Sequence, residues 1–215
     1  MDNYVQYGCG LCAPEGWQNF DASPTLRIQK LSIFGNLVKS RLNVVFPANV
    51  FYGDIIKGLP IKMASAHGVF CSHILEHLSL HDLRVALSNT LAVLEPGGIF
   101  RCVVPDLEFY SRRYIKSLDE GEVGANYKFI GPSGEVLFGV EKRRRGLTGL
   151  LEFLLGNSHH LWMWDFQALA AEFEKAGFVK IRRCSYNDSL DKMFQVVEDP
   201  NRFSNALAIE AFKPF

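Results

Sequence analysis

The feature that most constrains the fold is the alternation of short apolar segments with segments of helical periodicity. Residues 68–74 and 99–104 are almost continuously apolar, and residues 80–94 between them have the spacing of a helix. Strands that alternate with helices in this way are typical of a mostly parallel sheet covered on both faces. We therefore predict an α/β fold.

The same reasoning assigns the other elements. Predicted strands are residues 4–7, 17–20, 50–52, 68–74, 99–104, 178–184 and 206–212, and predicted helices are residues 26–42, 80–94, 107–118 and 165–176. The second predicted helix is closed by residues 95–98, which read Glu-Pro-Gly-Gly. The last begins at Asp165, a capping residue, and stops before Gly177.

Residues 119–160 break this rhythm with many glycines and a basic cluster at residues 142–145. Long connections of this kind are usually functional or disordered. We predict a single domain over residues 1–215, with residues 119–160 as a cap inserted after the fifth strand. The basic cluster is expected to be a solvated face, the alternative being a grip for an anionic substrate.

Composition excludes several classes of function. Lys plus Arg and Asp plus Glu both number 23, so no net charge attracts duplex nucleic acid. The five cysteines are an odd number spread over the chain, which favours reduced thiols over a disulfide framework. Neither a signal peptide nor an apolar run long enough to span a membrane is apparent, so we expect a cytoplasmic protein. Nothing in the sequence predicts the oligomeric state.

The ends of the first two strands carry residues suited to a nucleoside. Gly8 and Gly10, on either side of Cys9, allow a sharp turn that exposes backbone N–H groups, and Asp21 ends the second strand. An acidic residue at that position can accept hydrogen bonds from ribose hydroxyls. Because the connection between Gly10 and Asp21 is too short for a full helix, a dinucleotide with its pyrophosphate on a helix N-terminus is disfavoured. A cofactor without phosphates is not.

A series of segments in one order then supports a resemblance to a known family. The segments are residues 7–10 (YGCG), 19–24 (NFDASP), 53–55 (GDI), 58–60 (GLP), 71–78 (CSHILEHL), 94–98 (LEPGG) and 104–108 (VPDLE). The chain resembles the class I S-adenosylmethionine-dependent methyltransferases over about residues 4–110 and again from 162 to 212. It is most similar to the small bacterial enzymes often associated with surface-polysaccharide genes.

The resemblance implies a Rossmann-like sheet of seven strands with an antiparallel last strand and a truncated first helix. It implies S-adenosylmethionine as the cofactor, with the cofactor across the tips of the first, second and fourth strands. The residues that would surround the cofactor are Gly8, Cys9 and Gly10 at the methionine part, Asp21 at the ribose, Asp54 and Ile55 at the adenine, and Ser72 and His73 near the sulfonium. The chain departs from the family pattern at Gln6, where an acidic residue is common, and at Cys12, where a third glycine often occurs.

Three residues are candidates for the acceptor side of the site: His73, Asp106 and His160. His73 lies at the end of the fourth predicted strand and Asp106 follows the fifth, and a histidine can accept a proton near neutral pH. His160 and Trp162 could instead pack as part of a lid, and His77 could pack against the helix that follows it. The Cys9–Cys12 pair has the spacing of a redox or zinc half-site, but no second pair of this kind exists, so no metal site is predicted.

We therefore predict methyl transfer to an oxygen or nitrogen of a small-molecule or saccharide-like acceptor. Two alternatives remain open from the sequence. One is a nicotinamide-dependent oxidoreductase, which the missing first helix disfavours. The other is a non-catalytic relative that binds the cofactor or a partner chain, which Gln6 and Cys12 leave open.

Overall fold

The computed structural model describes residues 3–30, 45–131, 136, 138–139 and 159–215. The strands are β1 (Tyr4–Tyr7), β2 (Trp17–Asp21), β3 (Val50–Tyr52), β4 (Ala66–Ser72), β5 (Leu94–Pro105), β6 (Val179–Cys184) and β7 (Ala206–Phe212). The helices are α1 (Pro24–Lys30), α2 (Leu80–Val93), α3 (Leu107–Asp119), α4 (Ala125–Ile130), α5 (Phe166–Ala176) and α6 (Pro200–Phe203), with 3-10 turns at Leu75–His77 and Lys192–Val196.

The seven strands form one sheet in the order β3-β2-β1-β4-β5-β7-β6. Strands β1 to β5 pair in parallel, and β7 is antiparallel to both β5 and β6. The predicted α/β fold, with its antiparallel last strand, is therefore confirmed. The part of the chain between β1 and β2, residues 8–16, is described throughout and contains turns but no helix. The first helix, predicted to be truncated, is therefore absent from this connection.

Some predicted boundaries are wrong. The fourth strand ends at Ser72 and not at residue 74, so His73 and Ile74 follow it. Residues 95–98 do not separate α2 from the next strand, because β5 already begins at Leu94. The register between β4 and β5 shifts between Ala66 and Gly68, and the extra residues on β5 are accommodated as a bulge in which Gly97 has a positive φ of 78°. The Glu-Pro-Gly-Gly segment thus bends a strand, whereas turn chemistry alone predicted a loop.

The first face of the sheet carries the main apolar core. Side chains alternate between the two faces of a strand, so Val5 and Tyr7 of β1 lie on this face with Phe100 of β5. Helices α2 and α5 cover them with residues such as Leu87 and Phe173, both fully buried. The periodic apolar residues predicted for these helices are therefore the ones that build the core.

The second face is unusually polar for a buried surface. Gln6, Asn19 and Arg101 all lie on it, and each is at most 2% exposed. It is covered by residues 185–205, the connection from β6 to β7, whose Phe194 packs among apolar residues of β1, β2 and β5. This connection supplies cover on a face where no helix joins β1 to β2.

Arg101 anchors that covering segment to the sheet. Its guanidinium donates to Glu198 at 2.8 Å, to Glu210 at 2.7 Å and to Asp188 at 3.0 Å. Glu210 is its cross-strand partner on β7, whereas Glu198 and Asp188 belong to the covering segment. A buried cation is therefore balanced by three carboxylates, two of which come from the connection.

Some predictions fall outside the described residues. They include most of the helix predicted at 26–42, of which α1 is the described part, the basic cluster at 142–145 and most of the cap at 119–160. Within the residues that are described, none of the helices is long and apolar enough to cross a membrane.

Candidate functional site

The candidate site lies at the carboxyl ends of β1, β2 and β4. The strand order reverses at β1, since its two neighbours are β2 on one side and β4 on the other. In open parallel sheets the crevice at such a switch point is where ligands bind. The residues that follow these three strands therefore surround one crevice at the edge of the sheet.

The turn after β1 depends on two glycines. Gly8 and Gly10 have φ of 64° and 55°, in the left-handed region. A Cβ atom at Gly8 would overlap the side chain of Ile74, which follows β4, whereas a Cβ at Gly10 would meet none of the described atoms within 4 Å. Gly8 thus lets the β4 loop approach the turn, and Gly10 leaves open space beside it. Cys9 between them is buried and donates its N–H to the Phe20 carbonyl at 3.1 Å.

Asp21 holds this turn in place. Its carboxylate accepts the Gly10 N–H at 3.0 Å through one oxygen and the Ser23 N–H at 2.8 Å through the other. Each carboxylate oxygen can accept a further hydrogen bond, although only 9% of the residue is exposed. Asp21 is therefore a structural link between β2 and the glycine turn, with acceptor capacity left for a ligand.

Gln6 and Asn19 support the short connection between β1 and β2. The Gln6 side-chain amide donates to the Cys12 carbonyl at 2.7 Å and to the Asn19 side chain at 2.5 Å. Asn19 in turn donates to the carbonyls of Pro14 and Trp17. The departure from the family pattern at Gln6 thus has a structural reason, because a buried amide satisfies the backbone of the short connection.

Asp54 and Ile55, the predicted adenine contacts, follow β3. The Asp54 carboxylate accepts the Ile56 N–H at 3.0 Å and forms an ion pair with Lys57 at 3.2 Å. Ile55 is 5% exposed and packs in the main core, and its carbonyl accepts from Asn89 at 2.7 Å. The Ile55 side chain is therefore part of the core, and its assignment to the adenine stays a prediction.

Ser72 and His73 lie at the tip of β4. The Ser72 Oγ is buried and has no hydrogen-bond partner among the described residues. His73 has a positive φ of 55°, rare for a residue other than glycine, and its ring Nε2 lies 3.0 Å from the Arg202 carbonyl of the covering segment. An unpaired buried hydroxyl next to a strained residue is typical of a functional position.

Two of the acceptor-side candidates, His73 and His160, both lie near Glu76. The sequence did not predict a role for this glutamate. The Glu76 carboxylate lies 3.4 Å from His73 Nδ1, and the rings of His77 and His160 are 5.0 Å apart. Burial lowers the pKa of His160 and outweighs the opposite effect of the Glu76 carboxylate. The structure therefore brings together three histidines around one buried glutamate.

Asp106, the third acceptor-side candidate, has structural contacts. One carboxylate oxygen caps α3 by accepting the Glu108 and Phe109 N–H groups, and the other lies 3.4 Å from Arg183. Its assignment to the acceptor side stays a prediction, and these contacts favour a cap. The Cys9–Cys12 pair likewise has little reactive character, because burial raises the pKa of Cys9 to about 12.

Sequence reasoning did not name Glu76 as a site residue, and it favoured a packing role for His77. A signal was present, because residues 73, 76 and 77 place two histidines and a glutamate within one turn after a strand. The fourth member, His160, is far away in sequence and reaches the cluster because the Leu161 and Trp162 N–H groups donate to the Glu76 carbonyl.

The strand order, the antiparallel β7 and the glycine turn after β1 together define the fold of the class I S-adenosylmethionine-dependent methyltransferases. No protein-family model and no curated protein matches the sequence. Among solved structures, the chain is similar to one from the complex between the Haloferax volcanii Trm112 methyltransferase activator and a methyltransferase, with 15% identity, a TM-score of 0.51 and coverage of 100% of this chain and 83% of that one. It is also similar to a SAM-dependent methyltransferase from Thermotoga maritima, with 16% identity, a TM-score of 0.50 and coverage of 99% and 83%.

Proposed function

We propose that this protein binds S-adenosylmethionine at the Gly8–Gly10 turn and transfers its methyl group to an oxygen or nitrogen of a small-molecule or saccharide-like acceptor. The observation that carries the proposal is the position of that turn. It lies at the switch point of a methyltransferase-type sheet and is bonded to Asp21 at the tip of β2.

The chemistry of the turn favours a nucleoside cofactor without phosphates over a dinucleotide. Residues 8–16 are all described and provide no helix N-terminus to bind a pyrophosphate, whereas Asp21 retains acceptor capacity for ribose hydroxyls. These features support S-adenosylmethionine and weigh against a nicotinamide cofactor. Methyl transfer from a sulfonium then requires mainly in-line positioning of the acceptor.

Calorimetric titration with S-adenosylhomocysteine tests the cofactor site. Asp21→Asn should weaken binding by about 10- to 100-fold, the range for a hydrogen bond to a charged group. Asp119→Asn, an exposed aspartate at the end of α3, is the control and should bind like wild type. Wild-type affinity in a folded Asp21→Asn variant would exclude the assignment.

Because Asp21 also holds Gly10, a second ligand separates the two effects. If the carboxylate contacts the ribose, an S-adenosylhomocysteine analogue without ribose hydroxyls should bind wild type and Asp21→Asn with similar affinity. Equal losses for both ligands would assign Asp21 to the turn alone.

Turnover is tested by following S-adenosylhomocysteine formation against hydroxyl- and amine-bearing acceptors. A protein that binds the cofactor and methylates none of them is the result expected of a non-catalytic relative. A protein that binds NADH and not S-adenosylhomocysteine is the result expected of an oxidoreductase.

A further inference from the structure

A cluster of potential metal ligands lies directly after β4, next to the proposed cofactor contacts. Glu76, His77 and His160 each offer one ligand atom, and these atoms all lie within 4.8 Å of one another. Glu76 is fully buried, and His160 is 8% exposed. His73 adds a further ring, whose Nδ1 lies 3.4 Å from a Glu76 carboxylate oxygen.

The Glu76 carboxylate has no hydrogen-bond donor among the described residues. Its side chain is 1% exposed, and neither oxygen has a hydrogen-bond partner within the described part of the chain. A buried carboxylate without a donor is costly, because burial removes it from water without replacing the lost hydrogen bonds. The site therefore needs positive charge beside Glu76.

Two of the histidine rings are oriented by backbone carbonyls. His77 Nδ1 lies 3.2 Å from the His159 carbonyl, and His73 Nε2 lies 3.0 Å from the Arg202 carbonyl. A carbonyl only accepts, so the ring nitrogen next to it carries the proton and the other nitrogen of a neutral ring has a lone pair. That other nitrogen faces Glu76 in both cases, at 3.9 Å for His77 and 3.4 Å for His73.

His160 also has a ring nitrogen without a partner. Its Nδ1 is buried and has no hydrogen-bond partner among the residues the structure describes. Lone pairs of neutral histidines and a carboxylate repel one another unless a cation lies between them. A backbone carbonyl on the outer nitrogen is also the usual way in which proteins orient a metal-bound histidine.

We propose that Glu76, His77 and His160 bind a divalent transition-metal ion, with His73 as a further ligand or as a neighbour of the ion. Two imidazoles and one carboxylate are a ligand set that suits Zn²⁺ and leaves a coordination position open. Zn–N and Zn–O bonds of about 2.0–2.2 Å bring ligand atoms closer than 4.8 Å, so binding requires small rotations of the side chains. The sequence had predicted no metal site.

The cluster adjoins the proposed cofactor site, because Ile74 between His73 and Glu76 packs against the Gly8 turn. A metal ion here would lower the pKa of a bound acceptor hydroxyl. The oxygen would lose its proton to solvent and attack the methyl carbon, and the C–S bond would break to give S-adenosylhomocysteine. This consequence rests on the proposed function, whereas metal binding itself does not.

Zinc binding to the chelator-treated full chain tests the proposal. Calorimetry should show one Zn²⁺ per chain, and Glu76→Gln and His160→Gln should each weaken binding by more than the roughly 10- to 100-fold that loss of an outer-sphere partner costs. His81→Gln, an exposed histidine on α2, is the matched control and should bind like wild type. Absence of stoichiometric zinc binding would overturn the proposal and assign the charge beside Glu76 to a proton.

X-ray absorption of the zinc-loaded wild type keeps the test independent of variant folding. The expected first shell contains only nitrogen and oxygen atoms at about 2.0–2.2 Å. Sulfur at about 2.3 Å would instead place the ion on cysteines and overturn the assignment. Neither readout depends on methyl transfer, so failure of the metal site is distinguishable from failure of the proposed function.

Discussion

Replacing Arg101 by methionine should destabilise the fold by about 3–5 kcal/mol. The guanidinium is 1% exposed, and its partners Glu198 and Glu210 are 0% and 5% exposed. Methionine fills much of the volume but leaves these carboxylates buried without a cation. Removal of one partner from a buried ion pair typically costs that amount, because the remaining charge is uncompensated.

Arg182→Met provides a control with a shared partner. Arg182 also contacts Glu210, at 2.9 Å through Nε, but 39% of its side chain is exposed, so water can replace the lost contact. We expect a loss of under about 1 kcal/mol, in the range of exposed ion pairs. Urea denaturation followed by tryptophan fluorescence measures both variants, and Trp17, whose ring lies 5.6 Å from Phe194, reports on the covering segment.

The cost of Arg101→Met should also depend on pH. Burial raises the pKa of Glu198 above its ordinary value even beside Arg101. A raised carboxylate pKa means that the folded state binds the proton more tightly than the unfolded chain does. Protonation of Glu198 therefore removes the cost of burying its charge. The loss in the variant should therefore shrink as the pH falls. A loss within about 0.5 kcal/mol of that in Arg182→Met, or one that grows in acid, would refute the reasoning.

Three further predictions concern single groups. Gly8→Ala should destabilise the protein more than Gly10→Ala in the same denaturation assay. Both variants strain a backbone with positive φ, but only the alanine at position 8 would overlap a side chain, that of Ile74. Equal losses of stability would contradict this. Hydrogen bonding, chiefly from Arg84, lowers the pKa of Glu172 to about 2, so its stabilisation is complete above about pH 4.5 and lost as the pH falls toward 2. The stability of Glu172→Gln should converge with wild type over that window, and parallel curves would argue against the pairing. Cys9, with a pKa of about 12, should resist iodoacetamide at neutral pH until the chain unfolds, as peptide mass mapping would show.

The local elements were predictable because their signals are local. Strand β4 contains the apolar run of residues 69–71, and α5 begins at the Asp165 cap and ends at Gly177, which has the left-handed conformation expected of a helix stop. The Glu-Pro-Gly-Gly segment was wrongly predicted as a break between helix and strand, because its structure depends on non-local contacts. Its residues are those of a turn, but pairing with β4 and a hydrogen bond between Gly97 and the Lys213 carbonyl draw them into β5.

The polar face of the sheet was not predictable from local pattern. Arg101 stands in an apolar run, and its partner Glu198 is 97 residues away in sequence, in a segment with little periodicity. The candidate site likewise has one part that was predictable from local sequence and one part that was not. The glycine turn and Asp21 could be read from spacing, whereas the contact of His160 with the Glu76 loop arises only from tertiary packing.

The covering segment connects these observations. It packs on the sheet face where no helix joins β1 to β2, it is anchored by Arg101, and its Arg202 carbonyl orients the His73 ring. Because no helix lies between β1 and β2, the β6–β7 connection supports this edge of the sheet. The orientation of one of the proposed metal neighbours then depends on an ion-pair network on β5 and β7. Loosening that network should shift the Arg202 carbonyl and with it the His73 ring, whereas the His73 backbone stays bonded to the Val103 carbonyl of β5.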